Sequence, residues 1–87
     1  MGQPKFMGIR GRNCIITSFD PAGVRATDWD RVMRELHCHY VIAGLEQCPT
    51  TGRWHYHIYL EFDRPWSFAR LRNYLPFAVN DIQPRFG

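Results

Sequence analysis

The sequence lacks the features that mark secreted and membrane-spanning proteins. It has three cysteines, an odd number without the spacing of a disulfide framework, and no basic segment followed by an apolar run that would indicate a signal peptide. No apolar stretch approaches the roughly 20 residues that a membrane-spanning helix needs. These absences predict a soluble, intracellular protein whose cysteines are reduced.

Repeats and low-complexity segments are also scarce. So is lysine, since Lys5 is the only lysine among 11 basic residues. The chain of 87 residues is 45% apolar and 15% aromatic, which is enough for one small globular domain, 1–87, with a modest core. The net charge of +3 favours a polyanionic partner only weakly. Residues 1–12 form either a loose basic arm or the approach to a first strand.

Hydrophobic periodicity and turn signals divide the remainder into alternating strands and helices. The first helix is expected to begin after the N-cap Thr27, and the second after the N-cap Ser67 and before Pro76. We predict strands at 13–20, 40–46, 54–62 and 78–83, and the first helix at about 28–37. This β-α-β-β-α-β order predicts an α+β fold of the ferredoxin-like or RRM-like kind, with two helices on one face of an antiparallel sheet and the other face open.

Strand alternation sorts the segment "HYHIYLEF" (residues 55–62) into two sets of side chains. The apolar set, expected to face the helices, is Tyr56, Ile58, Leu60 and Phe62. The other set, expected on the open face, is His55, His57, Tyr59 and Glu61. The two histidines then project in the same direction, about 6.5 to 7 Å apart at Cα, and could converge on one ion.

The partner strand supplies a third candidate ligand. If the hairpin loop is centred at 50–51, Glu46 lies opposite His55 and Gly44 lies opposite His57, on the same face of the sheet. Two imidazoles and one carboxylate suit a divalent ion such as Mn²⁺, Mg²⁺, Fe²⁺ or Zn²⁺, which could polarise a phosphodiester. The alternative is that both histidines are ordinary polar residues on a solvated face.

A second His-x-His, formed by His37, Cys38 and His39, is interpreted differently. We expect these residues at the end of the first helix, where polar and cationic groups suit the negative end of the helix dipole. Positions i and i+2 on a helix do not face each other, which disfavours a shared ion. A zinc site of Cys38, His39 and Cys48 stays open, although its spacing matches none of the usual patterns.

The segment "GLEQCPTTGRWHYHIYLEF" (44–62) closely resembles the second conserved motif of the replication initiator (Rep) proteins of small circular single-stranded DNA viruses, which are HUH endonucleases. The strand "CIITSFD" (14–20) is similar to their first motif, and "LRNYLP" (71–76) and "IQPRFG" (82–87) resemble the stretches before their third. The resemblance is specific in the second segment and loose in the first.

The resemblance implies a rolling-circle initiator of the host cell nucleus that binds a single-stranded origin stem-loop. In this family Mn²⁺ or Mg²⁺, here held by Glu46, His55 and His57, assists attack by a tyrosine that forms a 5′-phosphotyrosine link. That tyrosine belongs to a Tyr-x-x-Lys or similar motif, whereas no lysine follows any tyrosine of this chain. The chain is therefore expected to be truncated before the nucleophile and inactive in nicking. A homo-oligomer is also conceivable.

Aromatic and basic residues complete the expected site. The expected DNA contacts are Arg10, Arg12, Thr17, Phe19, Arg53, Trp54, Tyr59, Arg70 and Arg72, with Arg64 and Arg85 as further phosphate contacts. Each arginine could equally be a solvated surface charge. Two other functions stay open, namely a non-catalytic RRM-like module that binds single-stranded nucleic acid, and a small metallohydrolase with Glu61 as general base.

Overall fold

The structure, a computed structural model, describes residues 9–85, which form a small α+β unit with a four-stranded antiparallel sheet and three helices. The strand order is β2-β3-β1-β4, so β1 and β3 are central and β2 and β4 are edges. None of the helices in this part of the chain is long and apolar enough to cross a membrane. In chain order the elements are β1 (Arg10–Ser18), α1 (Pro21–Ala26), α2 (Trp29–Leu36), β2 (Cys38–Gln47), β3 (Trp54–Ser67), α3 (Phe68–Tyr74) and β4 (Asp81–Pro84).

The core lies on one face of the two central strands. Ile16 of β1 pairs with Ile58 of β3, Cys14 pairs with Leu60, and all four side chains are fully buried. The helices cover this face with a set of buried apolar residues, namely Val24 of α1, Val32 and Leu36 of α2, and Phe68 and Leu71 of α3. The expectation that Ile58, Leu60 and Phe62 face the core is confirmed, and Tyr56 is half-buried against the same cluster.

The first helix, α1, follows β1 in a stretch for which the sequence predicted neither a helix nor a strand. Asp20 accepts a hydrogen bond from the backbone N–H of Gly23 at 3.1 Å, and Pro21 occupies the first turn, so both residues favour a helix start. A Cβ on Gly23 would lie 2.2 Å from an Asp20 carboxylate oxygen, so a larger residue at this position would displace the capping carboxylate.

The cap predicted for the next helix was placed one residue too early. Thr27 is the C-cap of α1, and its hydroxyl donates to the carbonyl of Gly23 at 2.8 Å. Asp28 is the N-cap of α2 and accepts from the backbone N–H of Arg31 at 3.2 Å. The error arose because the unrecognised helix α1 ends immediately before α2 begins.

Pairing extends the start of β1 and the end of β3 beyond their predicted limits, whereas the last strand is shorter than predicted. β1 begins at Arg10 and pairs there with Ser67, so β3 continues well past its predicted end at Phe62. Residues 10–12 of the predicted arm are therefore strand, with a register shift between Gly11 and Asn13, whereas residues 1–8 lie outside the described range. The last strand is Asp81–Pro84 rather than 78–83.

The segment from His37 to His39 does not cap α2 as a unit. His37 alone is the C-cap, in the left-handed conformation with φ 53° and ψ 44°, and this residue turns the chain into β2. Cys38 is buried, and exposed His39 lies 2.7 Å from a carboxylate oxygen of Asp63 and 3.2 Å from one of Glu61. The described residues therefore do not assemble the zinc site that would need Cys38 and His39 together.

The His39 contacts predict a pH-dependent stability. The hydrogen bond to Asp63, and then that to Glu61, raise the pKa of His39 above its ordinary value near 6.5. A raised pKa in the folded state stabilises the protein fully below the unfolded-state pKa, and this contribution is lost as the pH rises through the folded-state pKa. Wild type should therefore exceed His39→Gln in free energy of unfolding by more at about pH 5.5 than at about pH 8.5.

Urea denaturation of both proteins at the two pH values measures this difference. His37→Gln is the matched control, because His37 is exposed and makes no such contact with a carboxylate among the described residues. An equal difference between wild type and His39→Gln at the two pH values would contradict the assignment.

Candidate metal centre

The pairing of β2 with β3 brings three potential metal ligands to one face of the sheet. Glu46 lies opposite His55 and Gly44 lies opposite His57, which is the pairing expected from a loop centred at 50–51. Paired residues share a face, and His55 and His57 are two positions apart on one strand, so all three ligands point the same way.

The hairpin loop holds this register through its backbone. The N–H of Cys48 donates to the carbonyl of Arg53, and the N–H of Gly52 donates to the carbonyl of Cys48, both at 2.8 Å. Gly52 has φ 73°, in the left-handed region that glycine adopts without a steric penalty. The turn signal in the sequence therefore has a definite role, which is to set which residues face each other across the hairpin.

The ligand atoms lie at separations suitable for sharing a cation. The Nε2 atoms of His55 and His57 are 3.1 Å apart, and a carboxylate oxygen of Glu46 is 3.7 Å from each. Atoms bonded at about 2.0 to 2.2 Å to one ion have neighbours at such distances. No atom lies within 4 Å of a Cβ built on Gly44, so space is open beside the group. We call Glu46, His55 and His57 the ligand triad.

The chemistry of the two rings also fits a bound cation. The facing Nε2 atoms can form at most one hydrogen bond with each other, whereas a cation would accept both lone pairs at once. Nδ1 of His57 lies 3.4 Å from the hydroxyl of Thr17, and a proton on that Nδ1 leaves Nε2 free to ligate. Nδ1 of His55 is buried and has no hydrogen-bond partner among the described residues, so packing must orient this ring.

A wall of aromatic and cationic groups provides that packing. The Phe19 ring lies 5.0 Å from the His55 ring, centroid to centroid, and the Arg53 guanidinium carbon is 4.4 Å from the Phe19 centroid, a cation–π distance. The side chain of Asn80 accepts from the backbone N–H of Phe19 at 2.9 Å. The sequence predicted Phe19 and Arg53 as DNA contacts but did not indicate that Phe19 packs on His55 or that Arg53 packs on Phe19, and it did not single out Asn80.

Other predicted DNA contacts lie near the triad on the open face. Thr17 pairs with His57, and Tyr59 is two positions further along the same strand. The Tyr59 hydroxyl donates to a carboxylate oxygen of Glu61 at 2.5 Å, which raises the pKa of Tyr59. Thr17 and Tyr59 therefore border the same surface as the ligand triad. Trp54, at the start of β3, is 51% exposed, but strand alternation from His55 directs it to the opposite face of the sheet.

Four predicted DNA contacts are not brought to the triad. Arg10 and Arg12 lie at the end of β1 remote from Thr17. Arg70 and Arg72 belong to α3, whose apolar residues enter the core on the sheet face opposite the histidines. The proposed DNA contacts thus form two groups in space, a division that the order of residues along the chain does not reveal.

The contacts of Glu61 argue against the metallohydrolase alternative, in which Glu61 is the general base. One of its carboxylate oxygens contacts His39 and the other accepts from Tyr59, so both oxygens are engaged away from the triad. A general base must lie within hydrogen-bond reach of the water that it activates. The ligand triad is the one group of at least three His, Cys, Asp or Glu side chains among residues 9–85 that is arranged to hold a metal ion.

Comparisons of this chain with protein-family models, with curated proteins and with solved structures find no match.

The triad predicts a single divalent-cation site. Wild type should bind one Mn²⁺ per chain in calorimetric titration, and His57→Ala should lower the affinity at least about tenfold, because even partners of metal ligands contribute that much. Thr17→Val should cause a smaller loss, since it removes only the group that orients His57. His37→Ala removes an exposed histidine elsewhere and should leave the affinity unchanged. Equal affinity of wild type and His57→Ala would refute the site.

Proposed function

We propose that this chain is the metal-binding and DNA-binding core of an HUH-type replication initiator endonuclease. The observation that carries the proposal is the convergence of Glu46, His55 and His57 on one open sheet face. These three residues belong to the segment 44–62 that most closely resembles the Rep family. The geometric grouping and the motif resemblance thus select the same residues for independent reasons.

The sheet topology supports a ferredoxin-like fold as part of this proposal. The order β2-β3-β1-β4 with antiparallel neighbours is compatible with two interlocked β-α-β units, in which β1 and β3 lie side by side at the centre. α1 is then a short addition between β1 and α2. This arrangement exposes the sheet face that carries the triad, and single-stranded DNA would bind across that face.

The chain's own groups would position the DNA for cleavage. A divalent ion held by Glu46, His55 and His57 would supply positive charge to polarise the scissile phosphate. Arg53 adds a fixed positive charge beside the triad, and Gly44 leaves room for the DNA backbone to approach. Thr17 would orient His57 through its hydroxyl.

None of the four tyrosines of these 87 residues is placed to be the attacking group in the proposed reaction. The hydroxyl of Tyr59 donates to Glu61, that of Tyr74 contacts Glu35, and both contacts raise the pKa of the phenol, which makes it a poorer nucleophile. The hydroxyl of Tyr56 accepts from Arg25 at 3.5 Å on the other side of the sheet. Tyr40 packs its ring against Tyr59, 6.0 Å away between centroids.

One feature favours a second function, a non-catalytic RRM-like module. Tyr40 and Tyr59 form an aromatic pair on the open face, and Ile42 beside them is 57% exposed. Aromatic side chains on a sheet are platforms for stacking bases. In this function the histidines would be polar surface residues, and metal would not affect nucleic-acid binding.

Binding of a fluorescent single-stranded oligonucleotide, followed by anisotropy, separates the two functions. For the endonuclease core, Mn²⁺ should tighten binding, and His57→Ala should abolish the effect of Mn²⁺ without abolishing binding in its absence. Tyr40→Ala should weaken binding by about 1 to 3 kcal/mol if one base stacks on the ring. Loss of affinity in Tyr40→Ala together with no response to Mn²⁺ in wild type would favour the RRM-like module.

The 87-residue chain should not cleave DNA. Incubation of an origin-type oligonucleotide with the protein and Mn²⁺ should give no covalent protein–DNA adduct on a denaturing gel, because the described tyrosine hydroxyls are engaged elsewhere or lie away from the triad. Formation of an adduct would contradict this expectation, and phenylalanine substitution of each of the four tyrosines would test whether one of them is the nucleophile.

A further inference from the structure

A concentration of positive charge lies near the end of β3 that is remote from the ligand triad. Three arginines line a cavity of about 540 Å³ at the corner where β1, β3 and α3 meet. The corner is held by the pairing of β1 with the end of β3 and by the N–H of Phe68, which donates to the carbonyl of Ile9 at 2.9 Å. We call this the arginine cavity, and it is lined by Arg10, Arg64, Pro65, Trp66, Ser67 and Arg70.

The arginine cavity carries positive charge that no described carboxylate neutralises. All eight aspartate and glutamate side chains lie within residues 9–85, and none forms an ion pair with Arg10, Arg64 or Arg70. Asp63, adjacent to Arg64 in sequence, is instead held by His39 at 2.7 Å. Three like charges around one space repel each other, and an anion between them would remove that repulsion.

The wall of the cavity also offers a neutral donor in a fixed position. The Ser67 hydroxyl oxygen accepts from the backbone N–H of Arg70 at 3.4 Å, so its own proton remains to donate. The indole N–H of Trp66 donates to the carbonyl of Leu36 at 2.6 Å, which anchors this half-buried side chain to the end of α2. The arginine side chains therefore lie around Ser67 and Trp66, which hydrogen bonds hold in place.

The cavity is separate from the ligand triad. Arg64 is seven positions from His57 along β3, roughly 20 Å at the rise of a strand. Arg70 projects from α3, which packs on the other face of the sheet. A ligand in the cavity therefore cannot contact the triad directly unless it is a long polymer.

We propose that the arginine cavity binds backbone phosphates of a polynucleotide whose other part lies on the open face. Guanidinium groups bind phosphate oxygens in bidentate geometry, and the volume exceeds the need of a single phosphate. The cavity offers positive charge and a hydroxyl group, and Trp66 is its one aromatic residue. This composition suits contacts with the phosphate backbone of a nucleic acid and not the recognition of bases. The identity of the polymer as DNA rests on the proposed function, whereas the phosphate affinity of the cavity does not.

The test is oligonucleotide anisotropy in EDTA at several salt concentrations, which removes any contribution of metal. The double variant Arg64→Gln/Arg70→Gln should bind at least about tenfold more weakly than wild type at low salt. The slope of log affinity against log salt should fall by about 1.4 to 1.8, the sum for two lost phosphate contacts. Mn²⁺ affinity, measured by calorimetry, should not change, so failure of this proposal is distinguishable from failure of the metal site.

A matched variant removes the same charge elsewhere. Arg25→Gln/Arg34→Gln also lowers the net charge by two, at exposed positions of α1 and α2 outside the cavity, and should change affinity less than about twofold. Equal losses in the two double variants, or no loss in either, would overturn the proposal. Thermal melting of each variant verifies that all are folded.

Discussion

The antiparallel register of β2 against β3 is the constraint on which both the core and the candidate site depend. Side chains alternate along a strand, so the register that places Glu46 beside His55 also places Ala43 opposite buried Ile58 and Val41 opposite buried Leu60. A slip of β2 by one residue would move Glu46 to the core side and separate it from the histidines. The burial of apolar residues therefore also positions the candidate metal ligands.

The ligand triad combines apolar packing with polar ligand atoms on one face of the sheet. His55 is buried against Phe19, while Glu46 is exposed, so the site has one rigid wall and one side open to solvent. Arg53 stacks on the outer surface of Phe19 and links the hairpin loop to the end of β1. Substitutions at this wall would thus affect the orientation of His55 without touching a ligand.

The charge distribution follows from the same topology. The exposed carboxylate of Asp63 is directed to His39 by the pairing of β2 with β3, and this contact leaves Arg64 without an acidic partner among the described residues. The extension of β1 to Arg10 then brings Arg10 to the end of β3, beside the start of α3. A net charge of only +3 is therefore compatible with a locally strong positive cavity.

Local patterns in the sequence determined the ligand triad, because alternation in a strand and the length of a hairpin loop are short-range rules. The same rules identified the core residues of β3 and the N-cap Ser67. They failed at α1, a helix that they did not predict, and at the end of β3, where pairing with Arg10 extends the strand. Only the tertiary structure divided the arginines between the triad and a separate cavity, because their grouping depends on contacts between residues more than fifty positions apart.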